Sequence, residues 1–313
     1  MARYLVTGGA GFIGSHIVQR LVNERQEVIV LDNFSTGKRE NLADFLDKIT
    51  LVEGDIRDKE LVKNITKGVD FILHEAALRS VPKSVKDPLS YNDVNVTGTL
   101  NLLLAAKESG VKRFVFASSS SVYGETEVLP EKEQQLPLPI SPYAATKLAG
   151  EYYCRFCSAI YGLETVSLRY FNVFGPRQSL ESEYAVVVPK FITCMLKDES
   201  PPIYGDGKQS RDFTYIDNVV EANILSTSSR LNEPAVLNVA SHKAYTVLDI
   251  VKYLNKIMQK DIKPTFLPPR AGDVRHTWAD ISGARRILGF RPQIDFVEGL
   301  TRTVKWFQEK RQQ

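Results

Sequence analysis

A short apolar run, Tyr4-Leu5-Val6, leads straight into Thr7-Gly8-Gly9-Ala10-Gly11-Phe12-Ile13-Gly14, and an amphipathic stretch follows at once. A strand that ends in a G-x-x-G-x-x-G turn and passes directly into a helix has few ways to pack. Gly8 permits the tight turn, Gly11 the close approach of backbone to a diphosphate, and Gly14 close contact between helix and strand. The helix N-terminus then aims free N–H groups and a partial positive charge at the phosphates. The glycine spacing alone is weak evidence; the strand before it and the helix after it give it weight. The pattern repeats along the chain. Apolar runs at 3–7, 27–31, 49–53, 69–74, 113–118 and 164–170 alternate with helical patterns at 12–23, 41–45, 58–65, 91–109 and 144–161. Such alternation predicts an α/β fold, a Rossmann-like doubly wound parallel sheet covered on both faces.

The order changes beyond Gly175-Pro176. A helix is expected over 187–196, a break at Pro201-Pro202, and a turn at Gly205-Asp206-Gly207. A strand and helix over 213–229 return to the sheet, followed by a strand at 235–239. Helices over 246–258, with Thr246 as N-cap, and over 296–307 follow. The expected division is a dinucleotide-binding domain over 1–175, with 212–240 returning to it. The segments 176–211 and 241–313 would form a smaller, discontinuous C-terminal lobe closing a cleft over the carboxyl edge of the sheet, where open α/β sheets bind ligands.

Two acidic positions refine the cofactor. Asp32 ends the second strand, beside Asn33, where a carboxylate can bind both hydroxyls of an adenosine ribose and repels a 2′-phosphate. This favours NAD over NADP. Asp55 and Ile56 end the third strand, where an adenine can lie; Asp58 serves there, caps the next helix, or both. Chemistry is suggested by Tyr143 and Lys147, one helical turn apart just after Pro142 and hence on one face. An ammonium close to a phenol favours the phenolate and lowers its pKa toward neutrality. Lys147 can also bond the nicotinamide ribose. The serines at 118–121 follow the fifth strand, where one of them can bond a substrate hydroxyl and pass its proton to Tyr143.

Composition removes other function classes. A net charge of +3 with scattered Lys and Arg gives no footprint for nucleic acid or a membrane surface. No stretch approaches the ~20 apolar residues of a spanning helix. No signal peptide precedes the first strand, so a cytoplasmic enzyme is expected. The three cysteines, Cys154, Cys157 and Cys194, are an odd count that fits a reducing compartment. Cys154 and Cys157 spell C-x-x-C without a partner pair, in mid-helix, and read as packing thiols; no metal site is expected.

Ordered segments along nearly the whole chain resemble the extended short-chain dehydrogenase/reductase family: TGGAGFIG (7–14), GDIRD (54–58), HEAA (74–77), NVTGT (95–99), SSSSVYG (118–124), SPYAATK (141–147), RYFNVFGP (169–176), YGDGKQSRDFTYIDN (204–218) and RAGDVRHTWADIS (270–282). The likeness is greatest to UDP-sugar 4-epimerases, in particular the UDP-N-acetylglucosamine 4-epimerase-like branch. It implies bound NAD, recycled each turnover, held by Gly8, Gly11, Phe12, Ile13, Gly14, Asp32, Asn33, Asp55, Ile56, Ala76 and Lys147. It implies Tyr143 as base, Lys147 as its partner and Ser119 as the assisting hydroxyl. The UDP-sugar would meet Arg79, Ser119, Tyr143, Asn172, Val188, Arg211, Arg270, Asp273 and Thr277, with Arg211 and Arg270 clamping the diphosphate. A homodimer joined through 91–109 and 144–161 is usual in such enzymes.

Two positions narrow the reaction. Sugar-nucleotide dehydratases place Asp-Glu after the assisting hydroxyl, whereas this chain has Ser120 and Ser121. Epimerases restricted to glucose and galactose often carry a bulky tyrosine where this chain has Thr277, so room is expected for a 2-acetamido group. A UDP-uronic acid epimerase or decarboxylase is the alternative, with Arg79 or Ser84 meeting the C6 carboxylate. A non-catalytic dinucleotide-binding protein is a third reading, opposed by the presence of both Tyr143 and Lys147.

Overall fold

The computed structural model describes residues 1–179, 187–231, 233–269 and 274–312. Apolar runs pair side by side because all but the edge strand over 50–53 are buried on both faces. β1 (Arg3–Thr7), β2 (Glu27–Asp32), β3 (Thr50–Glu53), β4 (Phe71–His74), β5 (Arg113–Ser119), β6 (Glu164–Tyr170) and, beyond four short strands introduced below, Ala235–Val239 make one seven-stranded sheet. The numbering continues with β7 (Val173–Phe174), β8 (Pro202–Tyr204), β9 (Ser210–Asp212), β10 (Thr214–Tyr215), β11 (Ala235–Val239), β12 (Ala244–Thr246) and β13 (Thr265–Leu267). The sheet order is β11-β6-β5-β4-β1-β2-β3, with every pairing parallel. The chain reverses its direction of travel beyond β1, which opens a crevice at the carboxyl edge.

Alternation along the strands divides the core. Val6, Val30, Leu73 and Val115 join one buried cluster with α1 (Phe12–Asn23). Leu5, Ile29, Ile72 and Phe114 join the other, with Cys154 and Cys157 on the opposite face. Both thiols are buried and unbridged, as packing residues would be.

The helices carry local signals that start them. Asp58 accepts from Leu61 N at 3.1 Å and so caps α2 (Lys59–Ile65). Next come α3 (Val81–Lys86) and α4 (Pro88–Asn92). The helix expected over 91–109 is instead α4, a π-turn over Asp93–Gly98, and α5 (Thr99–Glu108), in unbroken succession. In the π-turn, Asn95 receives Leu78 N at 2.8 Å and donates to Leu78 O at 2.9 Å, which pins the helix to the loop after β4. The helix expected over 41–45 is a tighter 3₁₀ stretch, Arg39–Lys48, kinked at Phe45. α6 (Pro142–Tyr161) starts with Ser141 capping and proline in the first turn.

The later part of the chain comprises α7 (Val187–Leu196), α8 (Ile216–Ser228), α9 (Val247–Met258), α10 (Ser282–Leu288) and α11 (Phe296–Gln312). Thr246 and Asp249 form a full capping box on α9. Three two-stranded pairs, β7 with β10, β8 with β13 and β9 with β12, lie outside the main sheet. An aromatic knot joins these pieces: Phe296 stacks on Tyr245 at 4.3 Å and on Phe213 at 5.3 Å, and Phe174 meets it edge-on. These rings belong to the same buried cluster as the α1 face of the sheet. Among the described residues, no helix is long and apolar enough to cross a membrane.

Candidate active site

A cleft of about 510 Å³ lies at the carboxyl edge of β1, β2, β3 and β4. Gly8, Gly11, Phe12, Ile13, Gly14, Asp32, Asn33, Asp55, Ile56 and Ala76 all line it. Gly8 has φ +67°, and a Cβ there would stand 2.7 Å from Ala76 N, so the turn needs glycine for both conformation and room. A Cβ on Gly14 would stand 2.2 Å from Gly8 O, which makes α1 inseparable from its turn. Gly11 N donates to Gly8 O at 3.0 Å, and Gly11 caps α1, whose first turn contains no acidic residue. That leaves the positive end of the helix to an anion.

Asp32 is buried at the end of β2. Its two oxygens accept from Ala10 N at 2.9 Å and Phe34 N at 2.8 Å; burial raises its pKa and those two bonds oppose the rise. It thus braces the glycine turn while facing the cleft. Asp55 is held by a two-pronged bond from Arg57 and one from Asn33, which lower its pKa to about 2. Ile56 packs beneath the π-turn, where a Cβ on Gly98 would meet its side chain at 2.6 Å.

The chemical residues converge from α6, β5 and the loop after β4. Tyr143 N donates to Ser84 Oγ at 3.1 Å, and Ser84 Oγ donates to Val81 O at 2.6 Å. Ser84 is therefore engaged in seating the start of α6, which removes it as the partner of a substrate carboxylate. Burial raises the pKa of the Tyr143 phenol, while a hydrogen bond with Ser119 and the charge of Arg79 pull the other way. Arg79 is thus a second cation beside the phenol, in addition to Lys147 on the same helix. Lys147 is 4% exposed, donates to Ala117 O at 2.8 Å and lies 5.0 Å over the Phe116 ring. Burial lowers its pKa, and the charge of Glu75 opposes that. In the serine run, Ser118 bonds Glu151 of a buried Glu151–Arg169 pair, whereas Ser119 shares a 2.5 Å bond with Ser121 at the strand end. Ser118 is structural; Ser119 faces Tyr143.

The expected sugar-nucleotide residues are scattered in sequence. Asn172 has φ +32° and donates to Thr277 Oγ1 at 3.1 Å and to Asp212 O at 3.3 Å, so two of them are already joined. Arg211 anchors its guanidinium on Ser210 O and Arg275 O, at 2.9 and 3.0 Å. Arg79 lines the cofactor cleft. Val188 is fully buried in the core, where its side chain packs instead of facing an open site. Arg270 and Asp273 lie outside the described residues.

Several cleft residues escaped sequence reasoning. Glu75, Arg177 and Gln178 line it, as do Trp306, Phe307 and Lys310 from α11. Arg177 donates to Gln19 Oε1 at 2.8 Å, so a cation sits beside the first turns of α1. Gln178 is buried and its Oε1 has no hydrogen-bond partner, which suits a donor from a bound dinucleotide. HEAA and FGPRQ carried the signal for Glu75, Arg177 and Gln178 as polar residues just beyond buried strands; the α11 residues had none.

A glycine cradle, an acid-free helix N-terminus, an aspartate lining the cleft and an orphaned acceptor together fit NAD. The family matching residues 4–240 is the NAD dependent epimerase/dehydratase family. The chain belongs to this family, the extended short-chain dehydrogenase/reductases, and NAD is its cofactor. Its relatives include UDP-sugar 4-epimerases and a UDP-N-acetyl-alpha-D-glucosaminuronate decarboxylase. The UDP-glucose 4-epimerase of Mycolicibacterium smegmatis is 38% identical over 319 residues, spanning 99% of this chain and 100% of the relative. The solved UDP-N-acetylglucosamine 4-epimerase from Methanobrevibacter ruminantium M1, in complex with UDP-N-acetylmuramic acid, has a TM-score of 0.95 at 45% identity over 99% of each chain. The UDP-glucuronic acid 4-epimerase from Bacillus cereus, in complex with UDP-glucuronic acid and NAD, has a TM-score of 0.90 at 33% identity, covering 98% of this chain and 99% of that one.

Proposed function

We propose that the protein is an NAD-dependent 4-epimerase of UDP-hexoses, acting on the UDP-Glc/UDP-Gal pair and on the UDP-GlcNAc/UDP-GalNAc pair through a transient 4-keto sugar. The observation that carries this reading is the meeting of Tyr143 with Ser119 and Arg79 at one end of the NAD cleft, with no acid at 120 or 121 to eliminate water. NAD supplies the oxidation and its reversal, accepting hydride from one sugar carbon and giving it back. The chain supplies the rest. Tyr143 takes the proton of the 4-hydroxyl and returns it, while Ser119 bonds that hydroxyl and orients it. Lys147, fixed on Ala117 O, places a cation beneath the reacting end. Arg211, with Arg270 and Asp273, binds the diphosphate side and leaves the sugar free to turn. The segments 176–211 and 241–313 act as the sugar-nucleotide lobe over the domain formed by 1–175 and 212–240.

Thr277 supports acceptance of N-acetylated sugars, since its hydroxyl is drawn to Asn172 and its bulk is small. The uronic acid reading rests on Arg79 alone once Ser84 is engaged in the backbone. The deciding experiment incubates the holoenzyme with UDP-Glc, UDP-GlcNAc and UDP-GlcUA and separates the products by chromatography. Conversion of UDP-Glc to UDP-Gal and of UDP-GlcNAc to UDP-GalNAc supports the proposal, and conversion of UDP-GlcUA alone overturns it.

We also infer a cytoplasmic homodimer. Tyr152, Phe156 and Ile160 form an exposed apolar stripe at four-residue spacing on α6, beside exposed Leu104 of α5. A pair of such faces buries both stripes. The odd count of three cysteines supports a reducing compartment. Light scattering that returned the 35.2 kDa of one chain would rule out the dimer.

A further inference from the structure

Glu75 has no part in the scheme above, yet it lines the cofactor cleft immediately beyond β4. Its Oε1 accepts from the Tyr170 hydroxyl at 2.7 Å, and that hydroxyl accepts from Asn223 Nδ2 at 2.8 Å. Tyr170 and Asn223 are buried, so the carboxyl is held by a fixed relay from β6 and α8. Strand register locates this relay. His74 lies beside Phe116 and Ser119 beside Tyr170, so the Glu75–Tyr170 bond bridges the end of β5. The Lys147 ammonium is anchored on Ala117 O of that same strand end. One carboxyl that lines the cleft and one buried ammonium thus meet at the same end of β5. Burial pushes the Glu75 pKa up and the Lys147 pKa down, and the charge of each opposes the shift of the other.

We propose that Glu75 is a positioning residue that sets the charge of this end of the cleft, holding Lys147 as the ammonium and favouring the oxidised, cationic nicotinamide over the neutral dihydronicotinamide. The physical reason is direct. A buried lysine cation alone would repel the oxidised ring, and a carboxylate beside it cancels that repulsion. The outcome is a cofactor that rests oxidised between turnovers. This deepens the NAD reading and does not depend on which sugar is used.

The test compares affinities for NAD and NADH without any sugar, read by quenching of Trp306, which lines the cleft. Glu75→Gln keeps the shape and can still accept from Tyr170, but loses the charge. The ratio of NAD to NADH affinity should fall about tenfold in this variant, as expected for one charge removed within a partly desolvated site. Tyr170→Phe removes the bond and keeps the carboxylate, so its ratio should stay near that of the wild type. A ratio unchanged in Glu75→Gln, or one that falls only in Tyr170→Phe, overturns the proposal.

Should Glu75→Gln be recovered unfolded, the wild type carries the test as pH falls from neutral. The groups that act with Glu75 are Lys147 and Tyr143 from α6 and Tyr170 from β6, with His74 preceding it on β4 and Arg79 lining the same cleft. The lysine stays charged on that side of neutrality, and the two phenols, both raised by burial, stay neutral. His74 is buried, between Thr7 and Thr99, with its pKa lowered to about 3. Glu75 is then the group that titrates there, and the NAD to NADH ratio must drop; a flat profile overturns the proposal. Failure of the sugar panel would leave either result standing.

Discussion

The two ends of the cleft are built differently. At the cofactor end, the geometry comes from backbone: Gly8, Gly11 and Gly14 lie within one turn, and Asp32 bonds the amides of Ala10 and Phe34. At the sugar end it comes from side chains that meet across long stretches of sequence. Asn172 reaches Thr277, Tyr143 is seated by Ser84, and Lys147 finds Ala117 O. A backbone site tolerates no added atom, whereas a side-chain site loses by deletion of a single hydroxyl. Each end therefore fails in its own way, and substitutions can separate them.

The largest effect is expected for Tyr143→Phe. Loss of a positioned acid–base group costs about 10²–10⁴-fold in rate. Bound NAD should be retained, because the glycine cradle is untouched. Turnover within tenfold of the wild type would remove Tyr143 from the chemistry. Gly14→Ala should show the converse. Its methyl would fall 2.2 Å from Gly8 O, a backbone atom that cannot swing away. Protein purified with this change should contain little NAD, and activity should return only in part on adding NAD. Full NAD content would show that the turn yields.

A subtler effect tests the sugar end. Thr277→Tyr fills the space expected for a 2-acetamido group, and it also removes the hydroxyl that Asn172 uses. The kcat/KM for UDP-GlcNAc should fall roughly tenfold or more relative to that for UDP-Glc, in the range a hydrophobic pocket can discriminate. Parallel losses for both substrates would place the effect on Asn172 and not on the room for the acetamido group.

The same contrast explains what could be read in advance. All seven strands of the sheet and the longer helices announced themselves, since buried parallel strands are apolar runs and Thr246 or Asp58 mark helix starts. The cofactor residues lay in contiguous motifs, so spacing was enough to find them. By contrast, α3, α10 and strands of two or three residues are too short to show a period. The π-turn at Asn95 follows from a tertiary bond to Leu78 that no helical pattern encodes. The approach of Trp306 and Lys310 to the cleft is likewise a matter of tertiary packing. Tyr143 and Lys147 do share a helix, but helical spacing does not reveal that Arg79, from the loop after β4, also acts on the phenol.

The smallest effect concerns a carboxyl outside the cleft. Glu131 is 1% exposed, and its Oε2 is buried without a hydrogen-bond partner. Burial raises its pKa to about 8, with the Trp278 amide and Arg211 opposing and the Asp212 charge adding to the rise. Asp212 is itself raised by burial to about 6. The ordinary glutamate value is 4.5, so the folded protein binds the proton more tightly than the unfolded chain. The stabilisation from this group is complete below the ordinary value and is lost as pH rises through about 8. Glu131→Gln keeps the neutral shape at every pH. The variant should melt close to the wild type in mild acid and a few degrees higher above pH 8. Because Glu131 donates its backbone N–H to Trp278 O and accepts from Asp280 N, next to Thr277, the gain should be accompanied by a flatter alkaline limb for sugar turnover, with NAD content unchanged. Melting curves that run parallel across that range would show that Glu131 is charged in the fold and that the sugar end contains a partner for it.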